Sequence, residues 1–187
     1  MKLIITATTR EASLSLQVAK IVQNIYKTLD EQVEILDLKE VPFSKIVQKA
    51  YQKESLSDIQ VYLDQIAQAE ALIIICPEYN GGIPGLIKHF IDHWIYPDSF
   101  VFKPVCLIGL GGRFGALRPL EHLQNIFLYR HSFVFPIRVF LQNIQNLLKN
   151  GKITEESVQK NLFDQACYFQ KFVKALQTSS LNFKTLI

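Results

Sequence analysis

Short, dense apolar runs alternate along this chain with longer stretches in which apolar residues recur every three or four positions. Residues 3–8 read as a first strand, and Leu14, Val18, Ile21, Ile25 and Leu29 then fall on one face of a helix spanning about 13–29. Residues 33–38 give a second strand. Pro42 interrupts the next segment and residues 48–55 are polar, after which Ser55 or Ser57 is placed to cap a helix running to about 70. The Ile-rich run 71–76 is a third strand, followed by a helix over about 83–95. The same rhythm predicts a strand at 104–110, a helix at 117–129, a strand at 133–140 and a last helix at about 154–176, with no clear pattern after Thr178.

Five strands alternating with helices imply a parallel sheet covered on both faces, because right-handed crossovers put the helices there. For five strands the commonest arrangement is the flavodoxin-like three-layer sandwich, sheet order 2-1-3-4-5, whose switch point lies between strands one and three. No repeat, low-complexity tract or Pro/Gly/Ser linker divides the chain, so residues 1–187 are expected to form one domain. In that order the loops after strands one, three and four converge on one crevice.

Composition narrows the function classes. Apolar residues at 49% and charged residues at 20% describe an ordinary globular protein. The net charge of +3 comes from scattered Lys and Arg with no basic run, which argues against a nucleic-acid partner. No stretch approaches the ~20 apolar residues of a membrane span. The first residues lack a signal-peptide pattern, so the cytoplasm is the expected location. Cys76, Cys106 and Cys167 are odd in number without C-x-x-C spacing, which points to free thiols, the first two in buried strands.

The three converging loops carry the chemistry. After strand one, Thr8, Arg10, Ser13 and Ser15 bring hydroxyls and a guanidinium to a helix N-terminus, a setting for a phosphate dianion; the plainer alternative is a Ser13 cap and a solvated Arg10. Neither G-x-x-x-x-G-K-[ST] nor G-x-G-x-x-G is present there. After strand three, Pro77, Glu78, Tyr79, Asn80 and Gly81 offer an aromatic face, an amide and an approachable backbone, suited to a flat heteroaromatic ring; the alternative is that Asn80-Gly81 is simply turn chemistry. After strand four, Gly111, Gly112 and Arg113 sit in a glycine cluster able to wrap the same ligand.

The run PEYNGGIPGLIKHFIDHW is similar to the P-E-Y-N-x-x-x-P-x-x-[LI]-K-x-x-x-D motif of the NADPH-dependent FMN reductase family, flavodoxin-like flavoproteins that include quinone, azo-dye and chromate reductases; Pro77, Glu78, Tyr79, Asn80, Pro84, Lys88 and Asp92 all fall on it. The first loop resembles the family's G-S-x-R-x-x-S-x-N, with Thr8, Arg10 and Ser13 matching in type, Ala7 replacing Gly and Ser15 replacing Asn. In the third, Ala116 stands where a second Gly is usual. The resemblance covers about residues 3–136. It implies FMN as cofactor, NADPH or NADH as co-substrate, and a small acceptor such as a quinone, free flavin or azo compound. A homodimer or tetramer is implied as well.

No catalytic side chain is nominated, since the flavin carries the reactivity; Gly111 and Gly112 are the candidate backbone donors to its N1 and O2. The alternative function is a non-enzymatic FMN-binding electron carrier or a flavin-dependent regulatory protein. His89 and His93 are spaced for a shared helix face but lack a third ligand, so no metal is expected and surface or interface histidines are the reading. Lys88 and Asp92 form an i,i+4 pair.

Overall fold

The structure, a computed structural model, describes residues 1–46 and 58–179. Its sheet is built from β1 (Lys2–Thr6), β2 (Val33–Asp37), β3 (Ala71–Pro77) and β4 (Pro104–Leu110), in parallel order β2-β1-β3-β4, with β5 (Phe133–Val134) and β6 (Val139–Leu141) both paired to the outer edge of β4. The expected order 2-1-3-4-5 is therefore the observed one. The apolar runs are strands because both of their faces are covered. Leu72, Ile74 and Leu107 point into one core and Ile73, Ile75 and Ile108 into the other, all at most 1% exposed.

Helices α2 (Gln60–Gln68), α3 (Gly85–Ile91) and α4 (Leu117–Tyr129) supply the first core through residues such as Leu63, Phe90 and Leu123. Helices α1 (Leu14–Thr28) and α6 (Glu156–Thr178) supply the second through Val18, Tyr26 and Phe169. The Ser55 and Ser57 caps expected for α2 lie outside the described residues. At its other end α2 has no glycine; Lys103 Nζ instead donates to the carbonyls of Ile66, Ala67 and Ala69 at 2.9, 2.8 and 2.7 Å. Helix α3 is shorter than the expected 83–95. Its last turn tightens, with His93 and Trp94 N–H groups bonding three residues back to Phe90 and Ile91. His93 is buried rather than on the surface, its Nδ1 2.8 Å from the His89 carbonyl. Lys88 and Asp92 pair as expected, Nζ lying 2.6 and 2.7 Å from the two carboxylate oxygens. Cys76 and Cys106 are buried free thiols, and burial pushes both well above the ordinary thiol range.

Two features depart from the pattern expected of the sequence. The expected strand 133–140 is broken in its middle: Phe135 N–H still reaches the Val105 carbonyl at 2.8 Å, but Pro136 has no N–H to continue the ladder. The buried amide of Gln165 on α6 fills that gap, donating to the carbonyls of Leu107 at 3.1 Å and Ile137 at 2.8 Å. Between β6 and α6 the chain also forms a short helix, α5 (Ile144–Leu147), and a hairpin of β7 (Leu148–Lys149) and β8 (Lys152–Ile153).

At the amino-terminal edge of the sheet, buried Lys2 lies 2.6 Å from Glu31 and 3.2 Å from Glu70. Burial alone would raise both carboxyls, but the Lys2 ammonium outweighs it and holds both below the ordinary glutamate range.

Gln165→Leu strands the buried Leu107 carbonyl and the part-buried Ile137 carbonyl and should cost about 2 kcal/mol in urea unfolding. The Lys2 contribution is complete above the ordinary glutamate pKa and is lost as pH falls through the lowered values, so the urea midpoint should drop as the buffer is taken from neutral pH into the acid range below the ordinary glutamate pKa. In Lys2→Met that pH dependence should shrink; an unchanged slope would show that other carboxylates govern acid stability.

Candidate functional site

The chain leaves β1 through a tight turn in which Thr8 N–H bonds the Thr6 carbonyl at 2.9 Å. Thr8 Oγ1 accepts from Arg10 N–H at 3.3 Å, and Ser13 Oγ caps α1 by accepting from Leu16 N–H at 3.3 Å. Between those two bonds the N–H groups of Glu11, Ala12, Ser13, Leu14 and Ser15 meet no acceptor among the described residues. Five free donors at the positive end of a 15-residue helix make a cradle for an anion.

Thr8 also ties this loop to the next, its hydroxyl lying 2.6 Å from Tyr79 Oη. Tyr79 is held by a two-residue hairpin: Tyr79 and Gly82 exchange N–H···O bonds of 3.0 Å, while Asn80 (φ 50°) and Gly81 (φ 77°) take the left-handed conformation. That is a type I′ turn, which favours the Asn-Gly pair. Asn80 and Gly81 form this turn, and the turn supports Tyr79.

The glycine loop after β4 leans on the end of β6 and the segment that follows it. Gly111 N–H bonds the Leu141 carbonyl at 3.2 Å, and the Gly111 and Gly112 carbonyls accept from Ile144 and Asn143 at 3.2 and 2.9 Å. The expected donor at Gly111 is thus already committed, whereas Gly112 N–H finds no acceptor among the described residues. Gly109 permits the tight return into α4, because a Cβ there would lie 2.4 Å from the Gly115 carbonyl oxygen. Ala116, at φ 67°, occupies a left-handed position that glycine fits better.

Together the three loops enclose a cleft of about 580 Å³. Thr8, Arg10, Ser13 and Ser15 line one side, Pro77, Glu78 and Tyr79 another, and Gly111 and Gly112 the third. Asn80, Gly81 and Arg113 do not line it. Sequence reasoning missed the polar arc Asn143, Gln145 and Asn146, which closes the cleft beside Gly112. Its signal was present: a polar QNIQN tract directly after the last strand, at the end of the sheet where ligands bind. Glu78, inside the cleft, is 3.6 Å from Arg118 at the start of α4.

A parallel sheet of this order, with an anion cradle at its switch point and a tyrosine and a glycine loop opposite, defines a flavodoxin-like, nucleotide-binding α/β protein. Solved structures share the fold. The NAD(P)H:(acceptor) oxidoreductase flavoenzyme FerB of Paracoccus denitrificans superposes with a TM-score of 0.75 at 22% identity, covering 93% of this chain and 97% of that one. A flavodoxin from the domain Archaea gives 0.62 at 11% identity, covering 93% and 99%. The chain belongs to the NADPH-dependent FMN reductase family, whose profile matches residues 1–146. An FMN-dependent NADPH-azoreductase of Staphylococcus aureus is 31% identical over 130 residues, 66% of this chain and 67% of the relative. Membership makes this protein an oxidoreductase that works through FMN and a reduced nicotinamide.

The residues present fit that cofactor: the free N–H groups with the Ser13 and Ser15 hydroxyls match a phosphate monoester, and the Tyr79 ring with the Gly112 amide matches a planar heterocycle. Ala116→Gly should relieve the left-handed strain and raise stability by about 0.5–1 kcal/mol, read as a higher thermal midpoint of the flavin-free protein. A lower midpoint would mean that the methyl's packing outweighs its strain.

Proposed function

We propose that the cleft holds FMN with its phosphate on residues 10–15 and its ring system between Tyr79 and Gly112. The row of unpaired N–H groups at the start of α1, facing the tyrosine loop across one cleft, carries this reading. When bound, the flavin supplies the redox chemistry, taking a hydride from the nicotinamide and handing electrons to a small acceptor.

The protein's own share is binding and orientation. Ser13, Ser15 and Arg10 neutralise and fix the phosphate; Thr8 locks the Tyr79 ring through its hydroxyl; Gly112 N–H is the free donor for the pyrimidine edge. No side chain is assigned as acid or base. The acceptor is a quinone, free flavin or azo compound, and the azoreductase relative supports the last. Exposed Leu86 on α3 and Leu117, Leu128 and Tyr129 on α4 support a homodimer formed through these helices. The use of reduced nicotinamide supports a cytoplasmic location, and among the described residues no helix is long and apolar enough to cross a membrane.

Purified protein should be yellow, and its flavin spectrum should bleach on anaerobic addition of NADPH or NADH; a flavin that neither nicotinamide bleaches would overturn the enzymatic reading. Arg10→Gln removes one charge-assisted bond to the phosphate and should weaken FMN about tenfold in a fluorescence titration, with the fold unchanged by circular dichroism.

A further inference from the structure

One carboxylate stands at the ring end of the cleft. Of the charged residues that line it, Arg10 and Glu11 belong to the phosphate loop, and Glu78 lies beside Tyr79, against the glycine loop. The approach is close: a Cβ on Gly111 would be 3.5 Å from both Cβ and Oε2 of Glu78. Gly111 directly precedes Gly112, whose N–H is the free donor for the ring.

Arg118 answers this carboxylate. Among the described residues it is the ion-pair partner of Glu78, at 3.6 Å, beyond hydrogen-bond length. It sits in the first turn of α4 with its Cζ 5.3 Å from the centroid of Phe114, an exposed ring that belongs to neither core. The Glu78 side chain is 18% exposed and that of Arg118 58%, and only Glu78 lines the cleft. The carboxylate therefore faces the ligand space partly desolvated, while the cation stands outside it, where solvent and salt screen its field more strongly.

These positions matter because the bound flavin changes charge. A hydride carries two electrons and one proton, so a neutral ring that accepts it at N5 gains one negative charge, spread over the N1 and O2 edge. A carboxylate beside that edge opposes the new charge, and a guanidinium paired with the carboxylate relieves the opposition. We infer that Glu78 and Arg118 together set the reduction potential of the bound flavin: Glu78 lowers it, and Arg118, seated on Phe114, restores it. This rests on the reading of the cleft as the FMN site. The flavin must take a hydride from a nicotinamide and then give electrons to an acceptor, and a compensated charge poises the ring between the two. Arg118 acts through Glu78 and needs no contact with the flavin.

The test equilibrates the FMN-loaded protein anaerobically with reference redox dyes, which reads the midpoint potential whether or not a nicotinamide reduces the flavin. Glu78→Gln should favour reduced over oxidised flavin about tenfold, a rise of ~30 mV for a two-electron couple. Arg118→Gln should shift the midpoint downward by up to the same factor, Arg118→Lys should recover part of it, and the double variant Glu78→Gln/Arg118→Gln should fall between the two single ones. Phe114→Ala, which frees the guanidinium without changing any charge, should give a smaller fall. A midpoint unmoved in Glu78→Gln, or shifted the same way in both single variants, overturns the inference. So does weaker binding of oxidised FMN in both variants at an unchanged midpoint, which would make the pair a brace between two loops. The site reading fails separately: FMN affinity unchanged in Arg10→Gln counts against the cleft itself, whereas weakened FMN there with an unmoved midpoint in Glu78→Gln overturns the charge pair alone.

Discussion

Strand β3 has no exposed face. Ala71 to Cys76 are at most 1% exposed, so every backbone group along them must find a partner inside the protein. The partners are two parallel strands, β1 on one side and β4 on the other. Parallel pairing sends all three chains off the same edge of the sheet. Because β1 also pairs with β2, the connections diverge to opposite layers there, with α1 on one face and α3 and α4 on the other. The crevice at the switch point is a consequence of the burial of β3, before any loop residue is considered.

What the loops add is mutual support. Thr8 bonds Tyr79, Glu78 N–H reaches the Leu110 carbonyl at 3.2 Å, and Gly111 is held on its N–H by the end of β6 and on its carbonyl by the segment that follows. Each loop is positioned by another rather than by its own strand alone. This lets the site hold backbone in costly conformations, with left-handed Asn80 and Ala116 and the close approach at Gly109. A ligand site on such loops is ordered before its ligand arrives, which lowers the entropy lost on binding.

The sheet was legible from residues because its strands are buried on both faces and read as unbroken apolar runs; β4 and α4 fall where periodicity puts them, at Pro104–Leu110 and Leu117–Tyr129. The cleft was legible in its three loops, since hydroxyls before a helix, an aromatic beside Asn-Gly and clustered glycines each carry a local chemical signal. Roles inside the loops were less so. Which glycine keeps a free N–H depends on Leu141, distant from Gly111 in the chain, and no local pattern near Gly111 encodes that bond. Likewise Arg113 follows a cleft residue, yet its guanidinium lies over the Phe114 ring and does not line the cleft.

The broken outer strand explains the part of the site that periodicity could not reach. An unbroken strand over 133–140 would keep one register along β4. Pro136 interrupts it, so the chain pairs first with the amino-terminal half of β4 and then, as β6, with Ile108, Gly109 and Leu110 at the carboxyl end. That second contact delivers Asn143 and Ile144 to the carbonyls of Gly112 and Gly111. The missing ladder bonds would leave the Leu107 and Ile137 carbonyls unpaired, and Gln165 supplies them from α6. A proline and a glutamine on elements remote from the cleft therefore fix which backbone groups of the glycine loop remain free to meet a ligand. The geometry of the site is set as much by the sheet's outer edge as by the motif at its centre.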